Sequence, residues 1–272
     1  MYNQAIERGG VAVVTGGASG VGRAAAERFA AAGLTVVLAD LEGEALSQAT
    51  SEISGSIAVP TDVSDPKAVE ALADRAFEIG EVAVLMNNAG IGVSSHSWGH
   101  ADNWRQMIEV NLFGVINGVQ TFLPRMVEAA RPAVVINTGS KQGITTPPGN
   151  PGYNVTKAGV KAVTEALAHD LRQAEAPISA HLFVPGFTYT GMIASRIPEK
   201  PAAAWTSEQT VDHLLEKVAA GDFYVLCPDN DVTPALDAKR VAWAAGDITE
   251  NRPALSRWHP DWAEAYKAHE QG

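Results

Sequence analysis

The sequence is poor in cysteine and in positive charge. Cys227 is the only thiol among 272 residues, so an intramolecular disulfide or a zinc site built on several thiolates is not available. The 20 lysines and arginines are outnumbered by 31 aspartates and glutamates, giving a formal net charge of −11. A chain this acidic has no general attraction for phosphate backbones or anionic lipid, so we predict neither nucleic acid nor membrane as a partner.

Long apolar runs are also missing. No stretch approaches 18 uninterrupted apolar residues, and the first ten residues lack the apolar segment of a signal peptide, so we expect a cytoplasmic protein. The seven histidines show no metal-ligand spacing, and no metal site is predicted. With 46% hydrophobic and 19% charged residues, the composition is typical of a globular chain with a sizeable core.

Short apolar runs alternate with segments of helical periodicity along most of the chain. The predicted strands cover residues 11–14, 35–39, 57–59, 82–86, 133–137, 178–184 and 223–227. Runs that are apolar on both faces suit strands covered on two sides, and the alternating order favours right-handed crossovers. We predict an α/β fold: a single doubly wound Rossmann domain whose seven-stranded, mostly parallel sheet carries helices on both faces.

A glycine-rich turn follows the first predicted strand and precedes a helix. It contains Gly16, Ser19, Gly20, Val21 and Gly22, with the glycines spaced GxxxGxG rather than in the GxGxxG fingerprint. Glycines allow the backbone to approach a pyrophosphate closely, and a helix N-terminus supplies free N–H donors. These five residues are therefore predicted to bind the phosphates of a dinucleotide.

The second predicted strand ends in Asp40, twenty residues beyond Gly20. A carboxylate in this position accepts hydrogen bonds from the ribose hydroxyls and repels a 2′-phosphate. Leu41 and Ser19 occupy the places where a cation would clamp that phosphate, which leaves Arg23 as the residue that could favour it. We predict NAD as the cofactor.

Polar residues follow the third and fourth predicted strands as well. Asp62 and Val63 follow one of them, and Asn88, Ala89 and Gly90 follow the other. Ligands of open α/β sheets bind outside the carboxyl ends of the strands, so these residues are predicted to contact the adenine and its ribose. An Asp-initiated turn and a polar lock between strands are the alternatives, and both kinds of role can coexist.

Three residues suggest acid–base chemistry. Ser140 follows the fifth predicted strand, and Tyr153 and Lys157 lie one helical turn apart on a common face. A phenol, with a reference pKa of about 10, is a poor acid–base catalyst near neutrality unless a cation lowers that pKa. Lys157 supplies such a cation.

In this order, the motifs resemble those of the short-chain dehydrogenase/reductase superfamily over about residues 9 to 228. The motifs are Thr15-Gly16-x3-Gly20-x-Gly22, Asn87-Asn88-Ala89-Gly90, Asn111, Ser140, Tyr153-x3-Lys157 and Pro185-Gly186-x-Thr188. The resemblance implies that Tyr153 is the general acid/base, that Ser140 stabilises the reacting oxygen, and that Lys157 lowers the Tyr153 pKa and binds the nicotinamide ribose. It also implies that Asn111 holds a water in a proton relay.

The resemblance further places Gly186 and Thr188 against the nicotinamide and implies hydride transfer to or from a small-molecule substrate. Apolar residues after Gly186 indicate a hydrophobic secondary alcohol or its ketone. The predicted substrate residues are Ser140, Gln142, Tyr153, Phe187 and Met192. A homodimer or homotetramer is expected. A catalytically silent dinucleotide-binding regulator and a sugar-nucleotide epimerase or dehydratase are the alternative functions.

The resemblance ends near residue 228. We predict a dinucleotide-binding and catalytic domain over residues 1–228 and a C-terminal extension over residues 229–272. Trp243, Trp258, Trp262 and Tyr266 make this extension aromatic. It is expected to pack on the domain, at an interface or over the substrate cleft.

Overall fold

The computed structural model describes residues 1–194 and 197–271. Its seven strands form one sheet in the order β3-β2-β1-β4-β5-β6-β7, and every neighbouring pair is parallel. The strands are β1 (Val11–Thr15), β2 (Thr35–Asp40), β3 (Ile57–Pro60), β4 (Val82–Asn87), β5 (Ala133–Thr138), β6 (Ile178–Val184) and β7 (Tyr224–Leu226). The predicted doubly wound fold is confirmed, with a sheet that is parallel throughout.

Helices connect the strands and cover the sheet. They are α1 (Tyr2–Arg8), α2 (Gly20–Ala31), α3 (Glu44–Glu52), α4 (Pro66–Ile79), α5 (Ala101–Met107), α6 (Gly114–Ala129), α7 (Gln142–Thr145), α8 (Pro151–Gln173), α9 (Gly191–Ala194), α10 (Ser207–Ala220), α11 (Pro234–Thr249) and α12 (Ala263–Gln271). Within the described ranges, every helix is either too short or too polar to span a bilayer.

The alternation of side chains along β1 shows how both faces of the sheet are buried. Ala12 and Val14 pack in one cluster with Phe29 of α2, whereas Val13 packs on the opposite face in a cluster with Phe122 of α6. The side chains of these five residues, two from the helices and three from β1, are all fully excluded from solvent. Burial on two faces explains why the strand reads as an uninterrupted apolar run.

The direction of winding reverses beside β1. This strand pairs with β2 on one side and with β4 on the other. The chain therefore builds one edge of the sheet through β2 and β3, and then crosses back to build the other edge from β4 onward. A crevice opens at such a point beyond the carboxyl ends of the strands, which is where ligands of open α/β sheets bind.

The helix predicted over residues 103–129 contains an irregular turn. Residues Ile108–Phe113 are π-helical and join α5 to α6 without a break. A π turn holds one residue more than an α turn and is frequent at functional sites. Asn111 lies in this turn and is fully buried.

The C-terminal extension has an aromatic cluster of its own. The ring of Trp243 on α11 lies 6.2 Å from Trp262, 5.3 Å from Tyr266 and 5.1 Å from His269. The guanidinium of Arg252 stacks on Trp243 at 4.1 Å from the ring centroid. These aromatic side chains therefore pack within the extension and against one another.

Candidate active site

A cavity of about 1100 Å³ lies at the carboxyl ends of the strands. Most of the predicted site residues line it, namely Gly16, Ser19, Gly20, Val21, Asp40, Asp62, Val63, Asn88, Ala89, Gly90, Ser140, Gln142, Tyr153, Lys157, Gly186, Phe187 and Thr188. Two further predicted residues, Gly22 and Asn111, do not line the cavity. The side chain of Met192 lies outside the described part of the structure.

The glycine turn has the backbone geometry that a phosphate site requires. Gly16 adopts a φ of +64°, and a Cβ there would lie 2.9 Å from the Cα of Ala89. Gly22 sits below it, where a Cβ would come within 2.1 Å of the Gly16 carbonyl oxygen. Gly22 therefore lets α2 approach β1, while Ser19, Gly20 and the N-terminus of α2 face the cavity.

Asp40 lies at the far end of the same cavity. One carboxylate oxygen accepts a hydrogen bond from the Ala18 backbone N–H at 2.9 Å, and the other accepts one from Leu41 N–H at 2.8 Å. The carboxylate is thereby fixed next to the glycine turn. Arg23, by contrast, is paired with Glu27 and Glu52 and does not line the cavity.

Asn88 joins the glycine turn to the neighbouring strand end. Its side-chain amide donates to the Thr15 carbonyl oxygen at 3.1 Å, and its amide oxygen accepts from the Thr138 hydroxyl at 3.2 Å. Thr15 in turn accepts from the backbone N–H groups of Asn88 and Ala89 through its hydroxyl oxygen. The polar lock between strands is therefore present, and Asn88 also lines the cavity.

Ser140, Tyr153 and Lys157 converge at the other end of the cavity. The Ser140 hydroxyl lies close enough to the Tyr153 hydroxyl to act on its ionisation, and the Lys157 ammonium lies 5.8 Å from the centroid of the Tyr153 ring. Asn150 begins α8 by accepting a hydrogen bond from Tyr153 N–H. The Lys157 ammonium donates to the Thr138 carbonyl oxygen at 2.7 Å, which fixes its position.

Burial acts on both ionisable groups of this triad. It raises the pKa of Tyr153, an effect opposed by the hydrogen bond from Ser140. Burial also lowers the pKa of Lys157 to about 8. In the protein without cofactor, therefore, the phenol is held protonated and the charge of the lysine is costly.

The low pKa of Lys157 makes stability depend on pH. The unfolded chain, with its ordinary lysine pKa, binds more protons than the folded chain between the two pKa values, so stability rises with pH in that window. We expect the difference in unfolding free energy between wild type and Lys157→Met to grow in favour of wild type by about 2 kcal/mol from about pH 7.5 to about pH 9.5. Urea unfolding of the cofactor-free proteins measures it.

Lys161→Met is the matched control for this series. Lys161 lies one turn further along α8, is 36% exposed and pairs with Glu165. A pH-independent difference between wild type and Lys157→Met would show that the ammonium is not desolvated.

Asn111 lies behind Lys157 and holds a loop of the cavity wall. Its carboxamide accepts from Ile91 N–H at 2.7 Å and donates to the Ile91 carbonyl oxygen at 2.9 Å. A Cβ on Gly90 would lie 3.3 Å from the Asn111 amide oxygen and 3.7 Å from the Lys157 ammonium. Asn111 therefore adjoins the lysine and fixes the backbone beside it.

The wall that follows β6 is tied to the C-terminal extension, which the sequence analysis missed. The side chain of Asp229 is 5% exposed and accepts a hydrogen bond from Phe187 N–H at 3.1 Å. The Asp229 carboxylate also lies 3.7 Å from the ammonium of Lys141, the residue after Ser140. Lys141 forms a shorter ion pair, at 2.6 Å, with the buried Asp237 of α11. The extension thus contacts both loops that carry predicted substrate residues.

The apolar wall predicted for the substrate is present in part. Phe187 and Ile193 line the cavity. Ile197 is 44% exposed, and the Trp205 indole N–H donates to Asn230 instead. Arg240 of α11 also lines the cavity, a contribution that sequence periodicity does not reveal because the residue lies far along the chain.

Known proteins are similar to this chain in sequence and in fold. Residues 10–201 match the family model of short chain dehydrogenases. The chain is 35% identical to 1-deoxy-11-beta-hydroxypentalenate dehydrogenase of Streptomyces exfoliatus, over 91% of this chain and 93% of that protein. It is 36% identical to 3beta-hydroxysteroid dehydrogenase 1 of Eggerthella lenta, over 73% and 78%.

A solved structure agrees with the sequence comparisons. The crystal structure of a short chain dehydrogenase/reductase from Burkholderia phymatum in complex with NAD superposes with a TM-score of 0.82 at 34% identity. It covers 90% of this chain and 96% of that chain. The protein therefore belongs to the short-chain dehydrogenase/reductase family of oxidoreductases.

Proposed function

We propose that the protein is an NAD-dependent dehydrogenase that interconverts a hydrophobic secondary alcohol and its ketone. The observation that carries the proposal is one continuous cavity lined by Asp40 and, elsewhere along its wall, by Ser140, Tyr153 and Lys157. The NAD complex of the Burkholderia phymatum relative supports the cofactor. The relatives named for a hydroxylated acid and a hydroxysteroid support a secondary alcohol.

The residues present fit a dinucleotide. Gly16 and Gly20 have φ values of +64° and +53°, which favour glycine and shape the turn, and the N-terminus of α2 would direct donors into the cavity for the pyrophosphate. Asp40 would accept from the adenosine ribose, and Lys157 would donate to the nicotinamide ribose. Asp62, Val63 and the loop after β4 would enclose the adenine side.

The reaction divides between cofactor and protein. Bound NAD supplies a nicotinamide ring that accepts a hydride from the substrate carbon, or returns one in the reverse direction. Tyr153 takes the proton of the substrate hydroxyl, and Ser140 donates a hydrogen bond to the same oxygen as negative charge develops on it. Lys157 stabilises the phenolate that results. Thr188 and Gly186 position the nicotinamide face.

An absorbance screen tests this function. Alicyclic and aryl secondary alcohols are offered with NAD, and the matching ketones with NADH, and we expect some members to change the absorbance of reduced nicotinamide. A protein that binds NAD tightly but turns over no member of a broad panel in either direction would instead support the dinucleotide-binding regulator.

A further inference from the structure

A second, smaller cavity adjoins the catalytic cavity on the side of the C-terminal extension. Its volume is about 220 Å³. Lys141, Gln142 and Arg240 line both cavities, so the two lie side by side with these three side chains at their boundary. The apolar part of the small cavity's wall consists of Ile144, Pro147, Leu226, Val241 and Trp258. Arg240 therefore borders both the catalytic cavity and this smaller space.

Positive charge dominates the small cavity. Lys141, Arg240 and Arg257 line it together with a single carboxylate, that of Asp237. Asp237 is already paired with Lys141 at 2.6 Å. The excess of positive charge stands out in a chain whose formal net charge is −11.

The two arginines differ in their direct partners. Arg240 is paired through its Nε with Glu270 at 3.3 Å, and its side chain is 23% exposed. Within residues 1–194 and 197–271, no carboxylate lies within ion-pair distance of Arg257; its guanidinium instead stacks on Trp258 at 4.8 Å and on Tyr266 at 5.1 Å.

The guanidinium groups also affect each other. Burial lowers the pKa of Arg257, and the positive charge of Arg240 lowers it further, while Tyr266, Glu270 and Asp237 act in the opposite direction. Two like charges are thus held near each other beside a cavity, and Arg257 has no direct ion pair with the acidic residues near it. An anion placed between them would relieve this repulsion.

We propose that the small cavity binds the carboxylate of a hydroxy acid or keto acid substrate, with Arg240 and Arg257 as its binding residues. This inference rests on the proposed dehydrogenase function and specifies its substrate class. The planar guanidinium fork matches a carboxylate, and the apolar wall suits a hydrocarbon skeleton between the carboxylate and the reacting carbon.

Paired acids and esters test the proposal in the holoenzyme. Alicyclic hydroxy acids and their methyl esters are oxidised with NAD, and we expect kcat/KM for the acid to exceed that for the ester by about 10- to 100-fold. Arg257→Gln and Arg240→Gln should each remove most of this preference by raising KM for the acid, with the ester changed less than about threefold. Equal rates for acid and ester in wild type would overturn the proposal, as would equal losses for both in the variants.

Lys239→Gln is the matched control. Lys239 neighbours Arg240 on α11 and donates to the Glu270 carbonyl oxygen at 2.7 Å, but it lines neither cavity. This variant removes a positive charge from the same helix and should keep the preference for the acid. If Lys239→Gln also lost the preference for the acid, the packing of the extension, and not the two arginines, would set that preference.

Direct binding separates this proposal from the proposed function. Calorimetry with the NADH complex compares adamantane-1-carboxylate with adamantane-1-carboxamide, and we expect the carboxylate to bind at least about tenfold tighter through Arg257. If no alcohol is oxidised but this difference is found, the dehydrogenase function fails and the anion site stands. If alcohols are oxidised but the two probes bind equally in wild type, the anion site fails.

Discussion

Tyr153→Phe is expected to lower kcat/KM for alcohol oxidation by about 10³- to 10⁴-fold, while the Kd for NAD changes less than about threefold. The substitution removes one oxygen and keeps the ring. Without that oxygen, the substrate hydroxyl has no acceptor for its proton. The phenol is half-buried on the cavity wall beside Ser140, and a phenylalanine ring leaves its position without a proton acceptor. Steady-state kinetics and calorimetric titration with NAD measure the two quantities.

Tyr189→Phe controls for loss of a phenolic hydroxyl. The Tyr189 hydroxyl donates to the backbone carbonyl oxygens of Ile197 and Pro198 and does not line the cavity. Its removal should leave kcat within about twofold of wild type. Turnover by Tyr153→Phe at more than a tenth of the wild-type rate would contradict the assigned role.

Asp40→Asn is expected to lower the preference for NAD over NADP by about 10²-fold. The amide keeps an oxygen acceptor for the Ala18 N–H and nearly the same shape, so the glycine turn remains supported. What is lost is the charge that strengthens hydrogen bonds from the ribose and repels a 2′-phosphate. A hydrogen bond to a charged group contributes about 1.5–3 kcal/mol, and the loss of repulsion adds to this change in preference.

Asp62→Asn is the matched control for the cofactor preference. Asp62 also lines the cavity, but its carboxylate accepts hydrogen bonds from Ser64. This substitution should affect both cofactors alike and leave the ratio of their kcat/KM values unchanged. A wild-type kcat/KM for NADP equal to or above that for NAD would contradict the predicted preference.

The fold and the position of the glycine turn and Asp40 in one cavity were predictable because their signals are local. Gly16, Gly20 and Asp40 lie within one strand–helix–strand unit, so their order along the chain nearly determines their positions in space. The strand runs were equally clear, since burial on both faces leaves them apolar. Gly22 was predicted to contact the cofactor. A glycine at this position of the motif also allows close packing of the helix on the strand, and in the structure Gly22 lies at that packing contact, against the Gly16 carbonyl oxygen.

The substrate end was only partly predictable because it depends on contacts across the chain. Arg240 and Arg257 lie about a hundred residues after Ser140, and no periodicity indicates that α11 returns to the loop that follows β5. Lys141 and Asp237 are ordinary surface residue types that become significant only when paired in the interior. The basic side chains around the small cavity therefore cannot be recognised as a cluster from the sequence.

The aromatic cluster around Trp243 has a consequence for how substrate choice can change. With packing of its own, the extension can accept substitutions at Arg240 or Arg257 without disturbing the apolar faces of the sheet. The residues assigned to the cofactor and to proton transfer all precede residue 190. The arginines of the proposed anion site and the residues assigned to proton transfer thus lie in separate stretches of one chain, and a library confined to the extension would vary that anion site without touching Tyr153 or Lys157.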